Sequence, residues 1–121
     1  MTAYDNAIAT LRNSQFDQAT LALAGFLKRY PSSGYDDSVR YWLGNAQFGN
    51  RDFKGAIMTF RAFINGAPDH PRAPEALLAV ANCQIELKDT RGARKSLDEL
   101  MKTYPKSEAA IAGRDRLSSL R

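Results

Sequence analysis

The sequence predicts an all-α fold: a right-handed superhelical solenoid of three helix hairpins closed by a C-terminal capping helix, seven helices in one domain over residues 1–121. Three observations lead there. A hairpin-sized pattern recurs three times at a step of 37 residues. Within each unit the apolar residues fall at helical spacing, and a proline closes each unit.

The repeat is legible position by position. Ala19, Ala56 and Ala93 form one series; Leu23, Phe60 and Leu97 follow four residues later; Phe26, Phe63 and Leu100 come three residues after those; Pro31, Pro68 and Pro105 end the units. Upstream, Phe16, Phe53 and Thr90 precede the alanines, and Ala7, Gly44 and Ala81 keep a small residue at one place. A small side chain with large apolar ones at i+4 and i+7 is one face of a helix, and the small residue lets a neighbouring helix approach. Each unit is therefore two packed helices. In the second, Tyr41-Trp42-Leu43-Gly44 belongs to the first helix, Gly49-Asn50-Arg51-Asp52 to the turn, and Phe53 opens the second helix.

The predicted helices are 3–13, 16–29, 34–49, 53–66, 71–87, 90–103 and 108–120, in repeats spanning 3–33, 34–70 and 71–107 and a cap over 108–120. Ser33, His70 and Ser107 each stand two residues after a closing proline, where serine suits an N-cap. Pro71 and Pro74 after His70 suit a first helical turn, whose N–H groups have no intrahelical partner. Leu117 occupies the place of Leu43 and Val80, so the last segment reads as the first helix of a fourth unit. Arg114, Asp115, Arg116, Ser118, Ser119 and Arg121 supply the polar outer face a terminal unit needs.

Composition narrows the function classes. With 44% hydrophobic and 25% charged residues, and no apolar stretch long enough to span a bilayer, the chain reads as a soluble domain without membrane insertion. The N-terminus has no secretory signal, so either the protein is cytosolic or an upstream segment has been removed. Cys83 is the single cysteine, which rules out an internal disulfide. It stands where the second repeat has Ala46 and reads as a small buried thiol. The net charge is +4, without aromatic and basic residues interleaved on one face, so nucleic acid is not an expected partner. Arg91, Arg94 and Lys95 form the densest basic cluster, read as a solvated outer face or a contact for an acidic partner. His70 in its proline turn reads as a capping or solvent-exposed residue rather than a general base. No phosphate loop, HExxH or paired His/Cys spacing is present, so no enzyme, cofactor or metal is expected.

Leu43-Gly44, Ala56 with Phe60, and Pro68 together resemble the tetratricopeptide signature, whose standard unit is ~34 residues. The extra residues lie between the closing proline and the next core, lengthening each first helix. Phe26-Leu27-Lys28-Arg29-Tyr30-Pro31-Ser32-Ser33, Tyr41-Trp42-Leu43-Gly44, Ala73-Pro74-Glu75-Ala76-Leu77-Leu78 and Tyr104-Pro105-Lys106-Ser107 are similar to the C-terminal repeat domain of the Tol-Pal accessory family known as YbgF or CpoB. That resemblance implies a periplasmic, non-catalytic scaffold that binds TolA and helps coordinate outer-membrane constriction with peptidoglycan synthesis at division, a peptidoglycan synthase being a further implied partner. Family members carry a signal peptide and an oligomerising N-terminal coiled coil, neither of which is in these residues, so the expectation is an excised domain of a homo-oligomeric parent. The Tyr-Pro-x-Ser ending also resembles outer-membrane assembly lipoproteins of the BamD type, which makes a self-associating adaptor the alternative.

In tetratricopeptide arrays the first helix of each pair lines the concave surface. Register then selects Tyr4, Ile8 and Leu11 in unit one, Tyr41, Asn45 and Phe48 in unit two, and Leu78, Asn82 and Ile85 in unit three as groove residues. Asn45 and Asn82 are equivalent, and a carboxamide both donates to and accepts from a peptide backbone. The competing reading is local: a mid-helix asparagine bonds to its own preceding turn, and the apolar members pack between repeats. Trp42 is read as core. Lysine-clamp binding of a C-terminal carboxylate is not expected, because the corresponding positions are Tyr4, Tyr41 and Leu78.

Overall fold

The structure, a computed structural model, describes Ala3 and residues 16–30 and 36–120. Among them are six helices and no strand: α1 Phe16–Arg29, α2 Asp36–Gly49, α3 Phe53–Gly66, α4 Ala73–Glu86, α5 Thr90–Thr103 and α6 Glu108–Ser119. The first predicted helix lies outside the described residues except for Ala3, as do Pro31 and Ser33. Each helix packs on the next in sequence, and α6 also meets α4. Contacts confined to neighbours are the pattern of a stack.

The residues that defined the repeat form the core. Ala19, Ala56, Ala93, Leu23, Phe60, Leu97, Phe63 and Leu100 are fully buried, and Phe26 is nearly so. One cluster runs from α2 to α6 and a second joins α1 to α2; half-buried Trp42 packs against both and links them. Small residues allow the close approach: a Cβ on Gly44 would lie 2.7 Å from the Phe60 ring, and one on Gly113 2.9 Å from Leu100. Ser107 caps α6 as expected, its hydroxyl accepting from the Ala110 N–H at 3.0 Å. Arg114, Asp115, Arg116, Ser118 and Ser119 are all exposed on α6.

Polar rungs repeat with the same step. The Thr59 hydroxyl donates to Gln47 Oε1 at 2.6 Å, and the buried Ser96 hydroxyl donates to Gln84 Oε1 at 2.7 Å, each joining the two helices of a hairpin. Between hairpins, Arg61 reaches from α3 to both Glu99 oxygens and to Ser96 on α5.

The hairpin turns are also equivalent. Arg51 and Lys88 have φ of 64° and 63°, in the left-handed region. Asp52 and Asp89 follow, and each side chain accepts from the N–H of the glycine three residues on, Gly55 and Gly92, at 3.0 Å. A Cβ at either glycine would collide with its cap carboxylate. Asp89→Ala is expected to lower stability by about 0.5–2 kcal/mol, with Asp89→Asn retaining most of it, as measured by urea unfolding.

α4 begins at Ala73, not at residue 71. Pro71 stands in the preceding turn, and only Pro74 occupies the first helical turn. His70 is not the N-cap: its Nδ1 accepts from the Arg72 N–H at 3.0 Å, and its ring meets Phe63 edge-on at 5.0 Å. That short local bond holds the chain in a turn, which delays the helix by two residues. α4 also ends at Glu86 rather than 87, and α6 ends at Ser119 rather than 120.

Candidate partner-binding groove

α2 and α4 are the first helices of the second and third hairpins, and they carry the described members of the predicted groove. Tyr4, Ile8 and Leu11 lie outside the described residues. Tyr41 is the most buried, 8% exposed, with its ring 5.5 Å from Phe63, 6.1 Å from Phe60 and 5.3 Å from Trp42. Its hydroxyl donates to Glu75 Oε2 at 3.0 Å. Burial, reinforced by that bond to Glu75, pushes the phenol above its ordinary range, so it stays protonated and a donor.

Phe48, Leu78, Asn45, Asn82 and Ile85 are all half-buried. Phe48 stands edge-on to Phe53 at 5.4 Å, and Phe48 and Leu78 rest against the main core. Asn45 Nδ2 donates to the Tyr41 carbonyl at 2.9 Å, the local bond weighed as the alternative. Asn82 differs. Its Oδ1 is buried and has no hydrogen-bond partner among the described residues. A buried acceptor left unpaired costs about 1–3 kcal/mol, which an incoming N–H or water recovers.

Sequence reasoning missed one cluster beside these residues. Arg72 lies over the Tyr41 ring at 5.2 Å and the Trp42 ring at 5.4 Å, and pairs with Glu75 at 3.5 Å. Glu75 reads from sequence as a helix-dipole acid in a first turn; its bond to Tyr41, 34 residues earlier, follows only from the packing of α4 on its neighbours. The signal was the 37-residue register, which places the first turn of α4 one repeat beyond that of α2.

Cys83 is buried, and that burial, helped by the charge of Glu86, pushes its thiol from an ordinary 9.0 to about 12. It is therefore a packing residue rather than a nucleophile. Because the folded value is raised, its contribution to stability is whole below 9.0 and is lost as pH rises toward about 12. Urea unfolding is expected to weaken over that window, and less steeply in Cys83→Ala. Tyr41 and Tyr104, also raised by burial, add to the loss in both proteins. Among the described residues no group of three His, Cys, Asp or Glu could hold a metal ion, and no helix is long and apolar enough to cross a membrane.

Hairpins stacked through a small-residue seam, with first helices carrying a register-matched set of carboxamides and apolar side chains, define a tetratricopeptide-type repeat scaffold. A family profile described as YfiO, outer membrane lipoprotein, matches residues 1–121, and the chain belongs to that family. The cell division coordinator CpoB of Pseudomonas putida is 35% identical over 51 residues, which is 42% of this chain and 19% of that protein. The resemblance to the tetratricopeptide domain of CpoB is thus present in the sequence, while the chain spans only a small part of that relative's length. Among solved structures, PcrH in complex with the chaperone binding region of PopD has a TM-score of 0.80 at 16% identity, over 98% of this chain and 87% of that one. A tetratricopeptide repeat protein from Parabacteroides merdae has a TM-score of 0.50 at 15% identity, over 98% of this chain and 59% of that one. These two likenesses establish the fold.

Proposed function

We propose that residues 1–121 act as a single non-catalytic tetratricopeptide domain, a protein-interaction scaffold of the bacterial cell envelope. In this reading the concave face of α2 and α4 docks a segment of TolA, and the domain serves the coordination of outer-membrane constriction with peptidoglycan synthesis in the periplasm. The observation that carries it is the buried, unpaired Oδ1 of Asn82, set between half-buried Leu78 and Ile85 and in register with Asn45. The family and the partial identity to CpoB supply the envelope setting. A peptide N–H satisfies that oxygen when the Asn82 carboxamide turns toward the segment, and apolar side chains of the segment cover the half-buried neighbours.

Calorimetric titration with the periplasmic part of TolA is expected to give saturable binding. Asn45→Ala with Asn82→Ala should weaken it about tenfold, two hydrogen bonds of about 0.5–1.5 kcal/mol each, with helicity unchanged. Absence of heat on titration would sink the TolA reading, and equal affinity of the variant would reject the groove.

Membership in the outer-membrane lipoprotein family favours a second reading, a BamD-type assembly scaffold that docks through its repeats or self-associates. Light scattering separates the two: a concentration-dependent dimer favours self-association, and a strict monomer removes it.

A further inference from the structure

The turn edge of the second and third hairpins repeats a feature that the groove does not use. Arg51 and Lys88 stand in the left-handed turn positions, Lys54 and Arg91 are the second residues of α3 and α5, and Arg94 and Lys95 follow within a turn. All six are exposed. We propose that this edge is a docking surface for an anionic lipid bilayer.

The charges are not there to neutralise one another. Lys54, Lys88, Arg91 and Lys95 have no carboxylate in ion-pair range among the described residues, where the salt bridges belong to Arg40, Arg61 and Arg72. Arg51 lies over the Phe53 ring at 5.5 Å, and Arg94 donates to the Leu120 carbonyl at 3.1 Å, so neither contact is with a carboxylate. The aspartates of the edge, Asp52 and Asp89, accept from backbone N–H groups as caps; with Glu86 and Asp98 they set four carboxylates against the six cations, a net positive edge. Cations at a helix N-terminus also stand against the dipole, whose positive end adds to theirs. Two helices put one there at the same register, so positive potential is concentrated on one edge. In the sequence the first repeat carries Asp17 at the equivalent position.

Apolar exposure at the same edge selects the occupant. Leu87, beside Lys88, is 39% exposed, and Met58, one turn after Lys54, is 74% exposed. A headgroup layer takes both chemistries at once: Lys and Arg meet phosphates while the apolar side chains enter the interface. A soluble acidic segment neutralises the charges and leaves Leu87 and Met58 in water.

Cosedimentation of the chain with phosphatidylglycerol–phosphatidylcholine vesicles tests the proposal, with pure phosphatidylcholine as control. Binding to the anionic vesicles alone is expected, falling as salt is raised. Lys88→Glu with Arg91→Glu and Lys95→Glu should lower it by at least about a hundredfold, since each basic residue near the surface contributes about a factor of five. The milder pair Lys54→Gln and Lys95→Gln, which removes charge without reversing it, should give a smaller loss. Asn82→Ala should bind vesicles as the parent chain does, which separates this edge from the groove. No binding to anionic vesicles at low salt overturns the proposal. So does unchanged binding by both edge variants, or retention on polyglutamate without retention on vesicles, which would assign the edge to an acidic protein.

Discussion

Phe60→Ala is expected to destabilise the chain by about 3–5 kcal/mol, a large share of the 5–15 kcal/mol typical of a whole domain. Phe60 is fully buried in the middle of α3, and its ring lies over the bare backbone of Gly44 on α2. Tyr41 closes another side of the ring at 6.1 Å. Collapse into the vacated space is poor, because Gly44 has no side chain to move and Tyr41 is held by Glu75 and Phe63. The cost should therefore fall in the upper part of that range. Denaturant unfolding followed through Trp42, which joins the two core clusters, measures it directly. A loss below about 1 kcal/mol would mean that the α2–α3 seam does not hold the hairpin, since such values belong to surface sites.

Gly44→Leu attacks the same seam from the other side. The first added atom already falls 2.7 Å from the Phe60 ring, which has no room to withdraw. Overpacking of this kind costs about 1–3 kcal/mol and sometimes more, exceeding the ~0.5–1 kcal/mol that glycine replacement returns in a helix. Combined with Phe60→Ala, the leucine enters space that the ring has left. The double variant should then be more stable than the sum of the two losses, with a coupling of about 0.5–3 kcal/mol in the compensating direction. Strict additivity would show that Gly44 and Phe60 do not share a contact.

Both predictions rest on residues that were readable in advance. The alanine series and the Leu23, Phe60 and Leu97 series are buried because a repeating helix face has one way to pack, so step and spacing located the core. Ser107 was readable for the same local reason. Three features were not. Left-handed backbone at Arg51 and Lys88 carries no glycine to announce it; the signal was the aspartate–glycine spacing that follows, Asp52 with Gly55 and Asp89 with Gly92. The start of α4 was misplaced because proline marks a first turn without saying which of two prolines occupies it, and the His70 bond to Arg72 decided the matter. Tyr41 was assigned to the groove by periodicity, yet periodicity does not tell which of two adjoining surfaces a side chain enters. Its ring lies with Phe60 and Phe63, and its hydroxyl reaches Glu75.

Asn82 is where sequence register and structure bear on the same atom. Register paired it with Asn45, and the structure leaves its Oδ1 buried without a partner among the described residues. Asn45, by contrast, bonds to its own helix through Nδ2. The two carboxamides are therefore unequal, and Asn82→Ala alone should account for most of the affinity lost by the double variant.

The most direct test of the scaffold reading is an amide-resolved NMR titration of the chain with the periplasmic part of TolA. The account predicts saturable shifts at Asn82, Leu78 and Ile85 on α4 and at Asn45 and Phe48 on α2, with Arg91 and Lys95 unmoved. Shifts confined to the turn edge, or none at saturating TolA, would contradict it.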